Sequence, residues 1–375
     1  MISFGILSIS LLLLVGQSMI LAGLLWFARE NRIANRFLAV LIFAIAMMVT
    51  PYIIGFAGFY DSYPWLSFAP FSTSLSFGPL LYLHIYGLIY GRTPERWGLH
   101  LVPYGVQFLS QALVFPLPLP LKNAWDSFAH ASLIAPVLTM ASLVSIGLYG
   151  VMIWRLYQAY RHRLAQTRAD DAQFDPSWVR NALFGVMGLA LVWFGFFMAD
   201  QLDPSRNYFD DYWMYMGVAA LGVYLGVAGW RNSDVRYPVF DAALDPVPDE
   251  AVAPSPSPER DWQAMGTHYA NIVEAEAYWR DPDLTLASLA RKLGTNTTYV
   301  SRALNEGLGQ SFSAFINARR VKEAQALMVE KGQEADLMGI AFEAGFNSKA
   351  SFNRAFSEFA GMSPSAWRRG QRLKS

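Results

Sequence analysis

Long apolar stretches dominate the first 231 residues, and regularly spaced polar positions return only in the last third of the chain. Seven apolar runs lie near residues 3–28, 37–59, 76–91, 99–118, 129–154, 181–201 and 212–230. A helix needs about 17–25 residues to cross roughly 30 Å of hydrocarbon. Most runs approach or exceed this length, and the run over 76–91 is the shortest. We therefore predict an all-α chain in which residues 1–231 form a seven-helix transmembrane bundle.

The arginines between the apolar runs predict an orientation. With the N-terminus outside, ten arginines fall in cytoplasmic loops, whereas only Lys122 and Arg206 fall in outer loops. Cytoplasmic loops of membrane proteins carry an excess of Lys and Arg. Seven spans would then leave the C-terminal part in the cytoplasm. We predict a multi-pass membrane protein whose C-terminal domain lies in the cytoplasm, with the lipid bilayer as one partner.

Composition narrows the classes of function. The 375 residues are 54% hydrophobic and 15% charged, against about 25% charged in a soluble domain. The absence of cysteine excludes disulfides, cysteine-ligated metals and a thiol nucleophile. The five histidines show no metal-ligand spacing, and the sequence holds no P-loop, zinc-protease or kinase motif. We expect no cofactor, no metal site and no enzymatic activity.

Residues 232–260 interrupt the apolar pattern with six prolines and a cluster of acids. Proline lacks a backbone N–H donor, and the run APSPSP is typical of a semi-extended linker. We therefore divide the chain into a membrane domain over 1–231, an acidic Pro-rich linker over 232–260 and a C-terminal domain over 261–375.

Amphipathic helices of ordinary charge begin near Leu284. Thr285 is placed to cap a helix whose apolar stripe ends before Gly294, a residue suited to a tight turn, and a second helix is expected from about Thr297. The pattern recurs about 50 residues later. There Gly345 makes the turn, Ser348 caps the next helix, and the side chains expected to point inward are Phe352, Phe356 and Phe359.

The residues around both turns form a long and specific pattern. It includes Leu286, Leu289, Ala290, Tyr299, Arg302, Gly309, Phe312, Ile316, Ile340, Ala341, Gly345, Phe346, Phe352, Arg354, Phe356, Gly361, Ser363 and Pro364. With this pattern, residues 284–370 resemble the DNA-binding domain of AraC/XylS-type transcriptional regulators. The resemblance implies two helix-turn-helix units joined by a long helix over roughly 312–330, with double-stranded DNA as the partner.

The resemblance also implies how DNA would be read. Two recognition helices can enter successive major grooves on one face of the duplex. Arg302 and Arg354 match the arginines that commonly reach bases in the family. Further candidates for base contact are Thr298, Tyr299, Asn305, Lys349, Ala350 and Asn353, and candidates for phosphate contact are Arg319, Arg320, Arg368 and Arg369.

Polar residues inside the apolar runs are candidate sensor positions, since such groups are costly in a membrane and often mark a site. His84 and Asp200 are the two we single out. An interhelical hydrogen bond for His84 and an interfacial position for Asp200 explain the same residues without a signal.

We predict a membrane-tethered transcription regulator that receives an unknown small-molecule or protein signal. Two alternatives stay open: a transporter or channel with an accessory DNA-binding module, and a bundle that serves only as an anchor. A homodimer and proteolytic release at the linker also stay open.

Overall fold

The computed structural model describes residues 2–203, 205–238, 260–332 and 335–372. All regular elements in these ranges are helical, apart from one isolated antiparallel bridge between Arg168 and Thr285. The expected all-α class is confirmed for the described residues. Most of the predicted linker, over 239–259, lies outside them.

The chain separates into two compact units. The apolar unit comprises Met1–Tyr157 and Pro176–Phe240, and the C-terminal unit comprises Gln158–Asp175 and Asp241–Ser375. The C-terminal unit therefore includes a short segment, 158–175, that lies in the sequence between two apolar helices. We had placed this segment within the membrane domain over 1–231, and the predicted boundaries stay predictions.

The following α-helices begin in the apolar unit. They are α1 (Ile6–Phe27), α2 (Arg32–Phe56), α3 (Phe59–Ser62), α4 (Phe77–Tyr90), α5 (Val102–Val114), α6 (Leu119–Trp125), α7 (Ala135–Thr167), α8 (Ser177–Leu202) and α9 (Tyr212–Arg231). A π-helical segment over Asp126–Ile134 joins α6 to α7, so that helical structure is continuous from Leu119 to Thr167.

Five helices in the described part of the chain are long and apolar enough to cross a membrane: α1, α2, the continuous helix Leu119–Thr167, α8 and α9. The runs over 76–91 and 99–118 become α4 and α5, with 14 and 13 residues. At 1.5 Å per residue each is only about 20 Å long. The expected number of seven spans is not confirmed. Because α4 and α5 are consecutive, the orientation of the other helices is the same whether both cross or neither does.

Close helix packing in the apolar unit depends on glycines of α9. A Cβ atom added at Gly226 would lie 2.8 Å from Leu21 Cβ on α1, and one added at Gly222 would lie 3.1 Å from Ile45 Cγ2 on α2. Small residues let helix backbones approach closely. The glycines thus explain why α1, α2 and α9 pack together.

Two glutamines of α5 satisfy backbone groups just before α4. Gln107 Oε1 accepts a hydrogen bond from the backbone N–H of Leu75 at 3.2 Å, and Gln111 Oε1 accepts one from Ser72 at 3.1 Å. A buried N–H that is left without an acceptor costs about 1–3 kcal/mol. These polar side chains therefore stabilise the bend that leads into α4.

Among the residues that the structure describes, the C-terminal unit contains seven further α-helices. They are α10 (Trp262–Glu276), α11 (Leu286–Lys292), α12 (Thr297–Arg302), α13 (Phe312–Lys331), α14 (Leu337–Glu343), α15 (Lys349–Ala360) and α16 (Pro364–Arg372). We call α11 with α12 the first helix pair and α14 with α15 the second helix pair. The long helix expected over 312–330 is confirmed as α13.

Local signals in the sequence set the ends of these helices. The side chains of Thr285 and Ser348 accept hydrogen bonds from the backbone N–H of Ser288 and Ser351, as expected for N-caps. Gly294 and Gly345 have φ of +67° and +92°, a region that favours glycine. Each pair therefore turns where the sequence predicts a turn.

Each helix pair has its own hydrophobic core. Leu286, Leu289, Val300 and Leu304 of the first pair pack with residues from α10 and the start of α13. The core of the second pair includes Ile340, Phe346, Phe352 and Phe356. The prediction that Phe359 points inward was wrong: its side chain is 40% exposed, because it lies in the last turn of α15, past the buried residues of this cluster.

Candidate nucleic-acid interface

The second helix of the first pair, α12, presents an exposed polar face. Asn296 caps the helix by accepting a hydrogen bond from the Tyr299 N–H at 2.9 Å. Thr298 and Arg302 are exposed, whereas Tyr299 is half-buried with the Arg260 guanidinium 4.5 Å from its ring centroid. The exposed pair is available to a ligand, and Tyr299 also belongs to the packing around α12.

Arg302 is held by a partner on its own helix turn. Its Nε and Nη2 donate to the Glu306 carboxylate at 2.7 and 3.1 Å, and its Cζ lies 4.4 Å from the Trp262 ring centroid. These hydrogen bonds raise the pKa of Arg302, so the side chain remains a cation. Because the pair is exposed to solvent, it contributes little stability and is easily exchanged for another acceptor.

The second helix of the second pair, α15, has the same arrangement of cap and exposed face. Lys349, Ala350 and Asn353 in its first half are exposed. Arg354 is half-buried, and its nitrogens lie 3.8 Å from Asp171 Oδ2 and 3.6 Å from Asp175 Oδ2. The structure therefore pairs the two candidate base-reading arginines with carboxylates of different origin.

Sequence reasoning did not predict these partners of Arg354. Asp171 and Asp175 belong to the segment 158–175, which also meets the first pair: Asn305 Nδ2 donates to Gln166 Oε1 at 2.9 Å. The three acids of this segment, Asp170, Asp171 and Asp175, stand in a loop that is otherwise rich in arginine. This local change from basic to acidic residues is the sequence signal that distinguishes the segment 158–175 from the other loops.

The four arginines expected near phosphates differ in exposure. Arg369 is exposed and Arg368 is half-buried, with its Nη1 donating to the Ala335 carbonyl at 2.7 Å. Arg319 is held by Glu274 at 3.1 Å. Arg320 is 0% exposed and donates to the carbonyls of Trp279 and Asp281 at 2.8 and 2.7 Å.

Arg320 therefore serves the interior of the domain in this structure. Burial lowers its pKa to about 10, while nearby carboxylates, Asp170 first among them, oppose the shift. A cation this deeply buried is retained only when hydrogen bonds satisfy it. Arg320 is therefore not part of the surface that we propose for DNA binding.

The two sensor candidates lie in different surroundings within the apolar unit. His84 is buried, and its Nδ1 lies 2.8 Å from the Ala34 carbonyl, so it links α4 to α2. Asp200 is exposed, is bound by Arg206 Nε at 2.7 Å and lines a cavity of about 360 Å³. The cavity wall combines aromatic rings, with Tyr52, Trp193, Phe196 and Tyr215 among them, and polar side chains such as Gln107.

Comparison with known protein families finds a match over the C-terminal part of the chain. A family model described as a helix-turn-helix domain matches residues 289–370, which include both helix pairs from Leu289 onward. Residues 289–370 are a helix-turn-helix domain. The match supports double-stranded DNA as a binding partner of this domain.

Curated relatives match a short part of the chain. An uncharacterized HTH-type transcriptional regulator of Staphylococcus aureus (strain MSSA476) is 31% identical over 86 residues, which are 23% of this chain and 11% of the relative. The transcriptional activator RhrA of Rhizobium meliloti (strain 1021) is 36% identical over 61 residues, which are 16% of this chain and 19% of RhrA. The chain thus spans only about a tenth to a fifth of these relatives. No solved structure is significantly similar to the chain.

Proposed function

We propose that this protein is a membrane-tethered transcription regulator of the bacterial inner membrane. Its C-terminal domain binds promoter DNA from the cytoplasmic side, with each helix pair acting as one helix-turn-helix unit. Its apolar unit acts as the sensor of a small molecule. This function joins the two units in one chain without any enzymatic step.

The observation that carries the proposal is the matching position of Arg302 and Arg354 on α12 and α15. Each follows a capped helix start, and each is flanked by exposed or half-buried polar residues. An arginine that donates to guanine O6 and N7 supplies about 1–3 kcal/mol of discrimination. Two such arginines on two recognition helices support sequence-specific binding rather than general attraction to phosphate.

The apolar helices and the loop arginines support the tether. Five long apolar helices precede the helix-turn-helix domain. An odd number of spans and the excess of loop arginines on one side favour a cytoplasmic C-terminus. Fusion of a fluorescent protein and of a periplasmic phosphatase after residue 372 tests this orientation. Fluorescence without phosphatase activity is expected, and the opposite pattern contradicts the proposal.

DNA binding is tested with the full chain in lipid nanodiscs and a pool of randomised duplexes. The unaltered protein should enrich a defined sequence. The double variant Arg302→Ala/Arg354→Ala should lose that preference, while Lys322→Ala, which removes an exposed charge from α13, should keep it and lose only a little affinity. Unchanged preference in the double variant contradicts the assigned roles.

The cavity beside Asp200 supports the sensing role. Aromatic faces attract cations, and the carboxylates of Asp200 and Asp211 both line the same space. Arg206 bridges these two carboxylates at 2.7 and 3.2 Å, so the pair already binds one cationic group. We therefore favour a small ligand that carries an amino group. Leu138→Trp would fill the cavity from α7, and Leu148→Trp adds the same ring at an exposed position of that helix. Only the first should alter expression of a target gene, and an equal effect of both would favour a bundle that is merely an anchor.

A further inference from the structure

The segment 166–175 is packed into the DNA-binding unit, although the chain on both sides of it leads into apolar helices. Ala169 is 0% exposed and belongs to the core that contains Leu286 and Ile316. Arg168 forms an antiparallel bridge with Thr285, the residue that caps α11. The segment thus occupies a specific place on the first helix pair and the start of α13.

Three asparagines hold the segment by their side-chain amides. Asn305 Nδ2 donates to Gln166 Oε1 at 2.9 Å, Asn317 Nδ2 to the Ala169 carbonyl at 2.9 Å, and Asn347 Nδ2 to Asp170 Oδ2 at 3.1 Å. Asn305 follows α12, Asn317 lies on α13, and Asn347 precedes α15. The segment therefore bridges the two helix pairs along one side of the domain.

The acidic end of the segment meets the second recognition helix. The 3₁₀ turn Asp171–Gln173 packs on α15, and the carboxylates of Asp171 and Asp175 lie 3.8 and 3.6 Å from the Arg354 guanidinium. Asp175 Oδ2 also lies 3.4 Å from Arg161 Nε, so Arg354 shares this carboxylate. Carboxylates this close attract the guanidinium, so they compete with guanine for Arg354. These acids also place negative charge where a DNA backbone would approach.

We propose that residues 166–175 are an intramolecular competitor of DNA, which covers Asn305 and Arg354 and must leave them before the promoter is read. The inference rests on the proposed function of Arg354 in base contact. It adds a partner for the same surface: an acidic segment of the chain itself. Since this segment continues directly into α7 and α8, a signal that favours one arrangement of those helices would change the population of the uncovered domain.

The test compares full-length proteins in nanodiscs. The release variant Asp171→Asn/Asp175→Asn removes both carboxylates from Arg354. The control Glu276→Gln/Glu330→Gln removes two exposed acids elsewhere in the same unit. The probe is a duplex that the release variant enriches from a randomised pool. We expect the release variant to bind it about three- to thirtyfold more tightly than the unaltered chain, and the control about twofold or less.

Two outcomes separate this inference from the proposed function. If the unaltered chain enriches a specific duplex and the release variant binds it no better than the control does, the competitor role fails and the DNA-binding role stands. If none of the three proteins enriches any sequence, both fail.

A second measurement uses the unaltered chain alone. Deuterium uptake by the backbone amides of 166–175 should rise when the duplex is added, because the segment leaves the domain. Continued protection on DNA would show that the segment is a permanent part of the fold, and would overturn the inference.

Discussion

The two helix pairs share a plan and differ in what holds their arginines. Arg302 is paired with Glu306, four residues later in the chain, whereas Arg354 faces Asp171 and Asp175, which lie nearly 180 residues earlier. Rotation of the Arg302 side chain alone breaks its pair with Glu306, whereas the carboxylates that face Arg354 belong to a separate segment, so movement of that segment also changes the surroundings of Arg354. The comparison teaches that two helices of similar plan can have arginines with a local partner in one case and a distant partner in the other.

The cores of the pairs differ as well, and the largest expected effect lies there. Phe356 is 0% exposed in the core of the second pair, and Phe356→Ala should lower the free energy of unfolding by about 3–5 kcal/mol. The free energy of local opening, from hydrogen exchange of amides in α14 and α15, measures the loss. The matched control is Phe359→Ala, at the exposed end of the same helix, for which less than about 1 kcal/mol is expected. Equal losses would contradict the assigned core.

The turn glycines give the next largest contrast. A Cβ at Gly345 would overlap the Trp279 carbonyl and lie 2.8 Å from Arg280 Cα, whereas one at Gly294 would meet no heavy atom within 4 Å. Gly345→Ala should therefore cost about 2–4 kcal/mol, from a left-handed alanine and an overpacked contact, and Gly294→Ala about 1–2 kcal/mol. Hydrogen exchange in each pair measures both. A larger loss of stability for Gly294→Ala than for Gly345→Ala would contradict the close contact between Gly345 and the backbone of Trp279 and Arg280.

DNA affinity of the two single arginine variants sharpens the comparison directly. Arg302→Ala should weaken binding of the full chain to its enriched duplex by about 1–3 kcal/mol. Arg354→Ala should cost less, because the same substitution also removes the ion pairs that hold the acidic segment in place. Titration of nanodisc-embedded protein with labelled duplex measures both variants. An equal or larger loss for Arg354→Ala would mean that its carboxylate partners do not oppose DNA.

The smallest effect is expected at Glu306. Glu306→Gln removes an exposed partner of Arg302, and it should change the stability of α12 by less than about 0.5 kcal/mol and the affinity for DNA by less than about threefold. Hydrogen exchange of the amides in α12 measures the stability, and titration with labelled duplex measures the affinity. A change in DNA affinity as large as that expected for the release variant would show that the local partner Glu306 opposes DNA binding as much as the distant partners Asp171 and Asp175 do.

Much of the domain was predictable because its signals are local. Thr285, Ser348 and Gly294 act through backbone groups within a few residues of themselves, and the left-handed φ of Gly345 is local as well, so caps and turns could be placed without knowledge of the fold. The burial of Arg320 was not predictable in this way. Its partners are carbonyls about 40 residues earlier in the chain, and nothing in its neighbourhood distinguishes it from Arg319.

In the apolar unit, the ends of two helices were not predictable from the sequence pattern. Run lengths correctly indicated helices over 76–91 and 99–118, but the actual helices α4 and α5 are shorter than the runs. Gly91, with φ of +63°, ends α4, and Pro103 stands in the first turn of α5. Hydropathy measures how apolar a stretch is, and it does not record where the backbone bends.

By itself the sequence determined the all-helical class, the long apolar helices and the helix-turn-helix pattern with its caps, because each depends on the order of residues within a few turns. Only the tertiary structure decided that Arg320 is interior, that Asp200 lines a cavity, and that residues 166–175 lie against Asn305 and Arg354. These outcomes depend on which distant surfaces meet, and contacts between distant residues leave no periodic trace in the chain.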